Sequence, residues 1–279
     1  MHIGCELQMV NLSDKLRIPE SQWFFDKIKI TQHNHFGLLT VIDNAITGLE
    51  EDAVEMQARF RGSCFGHFLR MHREMKFSGG IVHWLLLREL HHDGPTDEMR
   101  FMLGNQSVRF SREEFCLITG LKFGAIPDTD VYDAVENGIH QRYFEGRDMV
   151  RFCELQARIQ QAHWHNPIDA VKLCLLLMVN CILIGLDERE SVPIWQLRLV
   201  DNLDAFNAFP WGSHVYKTSI FWFKKTLHSK KNRYHIYGFA YALLVSLSNL
   251  RTTNNYLLNL FVPTNQNYIF IGYVVGFCF

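Results

Sequence analysis

Gly62-Ser63-Cys64-Phe65 places a thiol after a small-residue turn and before an aromatic ring, the order found at a cysteine-protease nucleophile. Such a thiolate needs a base within hydrogen-bond reach and a third group to orient that base. Gln57 stands upstream where an oxyanion donor would be sought, and His214 follows about 150 residues later, where a base would fall. The pattern is incomplete. Arg61 occupies the place of the preceding cysteine in the fuller signature, and Gly66-His67-Phe68-Leu69 carries the apolar pattern of a packed helix. A small buried thiol is the alternative, and the commoner one. The histidine pairs His33-x-His35, His91-His92 and His163-x-His165 invite a metal reading. A zinc site needs about four converging ligands. His91-His92-Asp93 is the best cluster, yet a helix C-terminus, where an imidazolium is favoured, explains it nearly as well. Glu188, Glu190, Asp201 and Asp204 could serve acid–base chemistry, or simply flank a buried helix. No phosphate-binding loop, dinucleotide fingerprint or serine elbow occurs. The sequence therefore assigns no catalytic residue, no cofactor, no metal and no small-molecule substrate, and predicts a protein that is not an enzyme.

Charge offers a different chemistry. Net charge is −1, but seven of the 28 basic residues and none of the 29 acids lie after Asp204, leaving that part at +7 and the rest at −8. Lys217, Lys224, Lys225, Lys230, Lys231 and Arg233 cluster there among aromatic residues and are the candidate nucleic-acid contacts. A solvated face, or one half of the protein docking on the other, would give the same asymmetry. Seven cysteines without a C-x-x-C pair suit reduced thiols, and the N-terminus lacks a basic segment followed by an apolar core. Both predict an intracellular, nuclear or cytoplasmic protein that is not secreted.

The elements that must position these groups are partly legible. Met99, Phe101 and Leu103 alternate with less apolar neighbours, Gly104-Asn105 suits a tight turn, and Val108 and Phe110 mark a return strand. Ser111-x-x-Glu114 is a capping box for a helix with Phe115, Ile118 and Leu121 on one face and Gly120 at its end. Arg100 and Arg109 are left facing solvent, free for a partner. A lone hairpin is marginal in water, so other elements must cover it. Helices are predicted over Gly37–Leu49, Glu50–Phe60 with Val54 and Ala58 on its apolar side, Ile81–Leu90, Met149–Gln161, and from Ser213 as cap to about Leu227. Ile168–Leu186, opened by Asn166-Pro167, is apolar nearly all round. It falls short of the roughly 20 residues of a membrane span and reads as a core helix, so membrane contact is not expected. The fold class predicted is α+β, α-dominated: a helical domain with a small β-hairpin sheet. It divides into a helical lead-in over 1–50, a domain over 51–250 and an apolar, Asn-rich tail over 251–279.

Three segments, FRGSCFGHFLRM, GGIVHWLLLREL and DEMRFMLGNQSVRFSREEFCLITGL, resemble the plant domain of unknown function DUF1985. RYFEGRD, DAVKLCLLLMVNCILIGLDER, LVDNLDAF, FPWGSHVYKTSI and YHIYGFAYAL continue the resemblance in order, over roughly Phe60 to Leu244. It implies a non-catalytic accessory or protein-interaction domain of a transposon-derived plant protein, similar to the plant mobile domain. Such proteins often carry a SUMO-protease-like (Ulp1-like) cysteine peptidase domain downstream. The chain is accordingly expected to be a fragment lacking it, with an unidentified protein as partner. Membership in such a peptidase, and nucleic-acid binding through residues 217–233, are the alternatives. No catalytic residue carries over, and within the family pattern the Cys64 segment reads as packing.

Overall fold

The structure, a computed structural model, describes residues 12–23, 29–48, 52–75, 77–133, 135–227 and 233–253. The Asn-rich tail from residue 254 onward, Lys230 and Lys231 lie outside them, and residues 251–253 of the expected tail instead end a helix. Among the described residues, eleven α-helices accompany three two-stranded sheets, as an α-dominated α+β fold requires. β1 (Lys29–Gln32) is followed by α1 (Leu38–Thr47), α2 (Ala53–Arg61) and α3 (Gly79–Leu86). The hairpin β2 (Met99–Leu103) and β3 (Gln106–Phe110) leads into α4 (Arg112–Thr119). α5 (Ile139–Phe144), β4 (Val150–Arg151), α6 (Phe152–Gln161) and α7 (Pro167–Leu177) come next. After β5 (Ser191–Val192), α8 (Ile194–Leu199), α9 (Leu203–Ala208), α10 (Trp211–Leu227), β6 (Arg233–Ile236) and α11 (Ala240–Thr253) complete the order.

α7 is the centre. It starts where the sequence places it, with Asn166 Oδ1 accepting from the Ile168 amide at 2.9 Å and Pro167 in the first turn. It continues as a π-helical turn, Met178–Ile184, whose residues are all buried. Pro167–Ile184 is long and apolar enough to cross a membrane, yet most of it is buried inside this fold against α1, α2 and α6. Asn180, the polar residue of the π-helical turn, donates to Leu176 O at 2.9 Å and to Gln196 Oε1 at 2.7 Å. A helix end leaves carbonyls without partners. Here distant chain segments supply them: Asn34 Nδ2 donates to Ile182 O at 2.7 Å, the His35 amide to Cys181 O at 3.2 Å, and the Gly238 amide to Ile184 O at 2.7 Å.

The hairpin has the predicted register, Met99 opposite Phe110 and Leu103 opposite Gln106. Gly104 alone takes positive φ, +59°, and Asn105 does not. Both halves of the capping box form: Ser111 Oγ accepts from the Glu113 amide at 3.2 Å, and the Ser111 amide donates to Glu114 Oε2 at 2.7 Å. Gly120 closes α4 at φ +64°. The hairpin is not left alone. The Leu90 amide donates to Arg100 O and the Met102 amide to Arg88 O, while Leu16 bridges Leu90 on the other side. Leu87 to Leu90 thus leave the helix predicted to reach Leu90, because the free edge of β2 offers their backbone a ladder.

Other expectations are corrected. Val54 is 79% exposed, and α2 buries Met56 and Phe60 instead. The two share a face at i, i+4, opposite Val54. Arg100 and Arg109 are not free: Arg100 Nε pairs with Glu98 at 2.7 Å and Arg109 Nη2 with Glu114 at 2.9 Å. Glu98 stands two residues before Arg100, and Glu114 comes from the first turn of α4, just past the end of β3. Ser213 does not cap α10, which begins at Trp211. Its hydroxyl bonds Gly124 on the strap across it, accepting from the amide at 3.0 Å and donating to the carbonyl at 2.8 Å. β1 and β6, unforeseen, pair in parallel from Lys29–Arg233 to Gln32–Ile236.

Candidate interaction surface

The thiol at Cys64 is half-buried, and desolvation pushes it up to about 12. Its amide donates to Asn207 Oδ1 at 3.0 Å, and among the described residues Sγ bonds no histidine. His214 is held elsewhere, against the rings of Trp195, Phe209 and Trp211. Burial there lowers it to about 4, with Lys217 adding to the effect. Phe65 and Phe68, the aromatic residues after the thiol, are core side chains. His67 bonds Thr119 O at 2.7 Å and so ties this turn to the end of α4. The segment therefore packs; it does not present a nucleophile with its base.

The acids are dispersed as well. Asp201 accepts from Lys172 Nζ at 3.0 Å and from the Ile139 amide at 3.1 Å. Glu190 accepts the Asp187 amide at 2.7 Å, and Asp204 is an exposed first-turn acid of α9. His92 bonds Glu98 O at 3.1 Å, and the His165 ring lies against Tyr143. His33 Nε2 meets His235 Nδ1 at 3.0 Å, at the edge of the β1–β6 pair. Among the described residues no group of three or more His, Cys, Asp or Glu is arranged to hold a metal ion.

The basic cluster is where exposed chemistry remains. α10 buries Tyr216, Ile220 and Phe223 and turns Lys217, Phe221 and Lys225 outward, one helical face at i, i+4, i+8. Phe221 is 57% exposed. Lys225 Nζ stands 4.5 Å from the Trp222 ring centroid and 5.4 Å from that of Phe221, both within cation–π range. Trp222 is in turn braced by Tyr237, with centroids 4.6 Å apart. Arg233 is exposed on β6. Lys224 is not available in the same way, because its ammonium donates to the Thr96 carbonyl and ties α10 to the hairpin's leading loop. Of six predicted contacts, Lys217, Lys225 and Arg233 are thus exposed. Lys230 and Lys231 fall outside the described residues.

The segments behind the resemblance are built around buried or bridging polar side chains. His83 Nδ1 meets the Tyr234 hydroxyl at 2.5 Å, and the Arg88 guanidinium lies 3.6 Å from the Trp84 ring and 4.4 Å from that of Trp23. Glu89, 2% exposed, pairs with Arg17 at 2.8 Å. Asp169, also buried, holds Arg142 Nη2 at 2.6 Å and the Tyr143 hydroxyl at 3.0 Å. Residues 86–221 match the family model for DUF1985, a domain of unknown function. This stretch is a DUF1985 domain. The match is narrower than the resemblance read from the sequence, whose outer segments at 60–71 and 234–243 lie beyond it. The DUF1985 domain takes in the hairpin, α4, the core helix and most of α10 with Lys217 and Phe221, while Lys225 and Arg233 follow it. No curated protein and no solved structure matches the chain.

The Arg198 side chain had no signal in the sequence. Beyond its own stretch, 198–205, the cleft around it is lined from three separate segments, at Arg59, at 131–135 and at Ile168 with Lys172, that only the fold brings together.

Proposed function

We propose that the chain is a non-catalytic interaction module, in keeping with an accessory domain of a transposon-derived plant protein, and that it takes an anionic partner on the outer face of α10. The observation that carries this reading is Lys217, Phe221 and Lys225 on one exposed helical face, with Lys225 held over two rings. Lysines beside exposed aromatic rings suit a partner that brings acidic groups next to flat or apolar ones. Charge reversal at Lys217 and Lys225 removes this complementarity without touching the core, since both side chains are exposed. In proximity crosslinking with the full chain, partner crosslinks should map to α10 and vanish in the double Glu variant. A partner profile unchanged by that variant would reject the α10 face.

Nucleic acid is the second reading, favoured by the same exposed ring among cations. Duplex or single-stranded DNA binding should then weaken steeply with salt, and each lysine replaced should reduce the log–log slope by about one. The peptidase alternative finds little support in a half-buried thiol pushed up to about 12. Cleavage of a SUMO fusion that disappears on Cys64→Ala would overturn the non-catalytic reading.

A further inference from the structure

We propose a second binding site, the cleft where α2, α7, α8 and α9 meet the loop around Val131, and that it takes a peptide segment carrying a carboxylate between apolar side chains. The cleft has a volume of about 810 Å³ and is open to solvent. That volume lies within the range of ligand sites, roughly 300–1,000 Å³. Three cations reach it, and two already have partners. Arg59 pairs with Glu55 one turn earlier at 2.8 Å, and Lys172 pairs with Asp201 at 3.0 Å. Arg198 differs. Its Nη1 donates to the Tyr132 carbonyl at 3.2 Å, its Nε is buried with no hydrogen-bond partner, and no carboxylate of the described residues pairs with it. Asp133, exposed on the same loop, is not within ion-pair distance.

A guanidinium presents five donors in a planar fork, and a carboxylate accepts two of them side by side. With Nη1 committed to the Tyr132 carbonyl and no ion pair formed, the Nη2 end of the fork is left for an acceptor arriving from outside. The walls beside Arg198 are apolar. Val131 and Val135 are 62% and 51% exposed, and Ile168 and Leu203 line the cleft with them. An open cleft with one guanidinium lacking an ion pair and valines beside it fits a length of chain laid across it better than an enclosed small molecule. The site shares no residue with the outer face of α10.

The test uses the full chain and two fluorescent hexapeptide pools. Both randomise Leu, Ile, Val and Phe, and they differ only in a central Glu or Gln. Anisotropy should show the Glu pool binding about tenfold more tightly, the scale of one charge-assisted bond. Arg198→Met should abolish that preference. Val131→Asp and Val135→Asp should weaken both pools, and these variants keep the fold because both positions are mostly exposed. Equal binding of the two pools, no binding of either, or a Glu preference that survives in folded Arg198→Met would overturn the proposal. So would displacement of the peptide by a DNA oligonucleotide with no Glu preference.

Discussion

A histidine whose ring has no hydrogen bond among the described residues, packed among three aromatic neighbours, carries a pH signature. His214 is held at about 4, below its ordinary 6.5, because burial disfavours the imidazolium and Lys217 repels it. Between these values the unfolded chain binds a proton that the folded chain refuses. Stability is therefore complete above pH 6.5 and falls as pH drops towards 4, by up to about 3 kcal/mol from this residue. His214→Phe keeps a ring against Trp195, Phe209 and Trp211 and removes the titration. Urea unfolding between pH 4 and 7 should show a flatter stability profile for this variant than for the native chain. Spacing alone had marked His214 as a possible base, because sequence distance from Cys64 says nothing about which rings surround it. The same limit explains Arg100 and Arg109. Their outward direction was readable from strand alternation, but alternation does not tell that Glu98, two residues before Arg100, and Glu114, five residues after Arg109, close on them.

Elements were most legible where the signal is local. The hairpin register, the Asn166-Pro167 start and the Ser111 box each rest on a few adjacent residues whose backbone preferences agree. β1 and β6 were not legible, since a parallel pair separated by about two hundred residues leaves no local trace. Its closing turn nevertheless depends on one residue. Gly238 sits at φ +90°, and a Cβ there would lie 2.3 Å from Ser219 Oγ and 2.6 Å from Ser219 Cα. The nearer neighbour is locked, because Ser219 Oγ accepts the Phe239 amide at 2.9 Å and donates to Val215 O at 2.8 Å. Strain and clash then add, so Gly238→Ala should cost on the order of 2–4 kcal/mol. Gly80 is the control. It is exposed in the first turn of α3, with nothing within 4 Å of an added Cβ. Gly80→Ala should leave stability unchanged or raise it by up to about 1 kcal/mol. Thermal melts of the two variants decide whether the β6–α11 corner is held as tightly as this geometry requires.

The molecule as a whole is larger than its matched stretch. Residues 86–221 include the core helix but not the segments that finish it. Leu39, Ile42 and Ile46 of α1 are at most 1% exposed, and α1 packs directly on α7. Burying side chains of this size contributes roughly 1.5–3 kcal/mol each. The carbonyls of Cys181, Ile182 and Ile184 are satisfied by His35, Asn34 and Gly238, all outside 86–221. Cutting to 86–221 would strip the apolar cover from α7 and leave these carbonyls open to water. Net stabilities of folded domains are only about 5–15 kcal/mol, so losing three such side chains together with β1, β6 and α11 exceeds what the domain can tolerate. A chain of 12–253 should therefore melt cooperatively, whereas 86–221 alone should show no cooperative transition and should expose apolar surface to a dye such as ANS. A cooperative melt of 86–221 would mean that the hairpin, α4 and α7 close a core without β1, α1, β6 and α11.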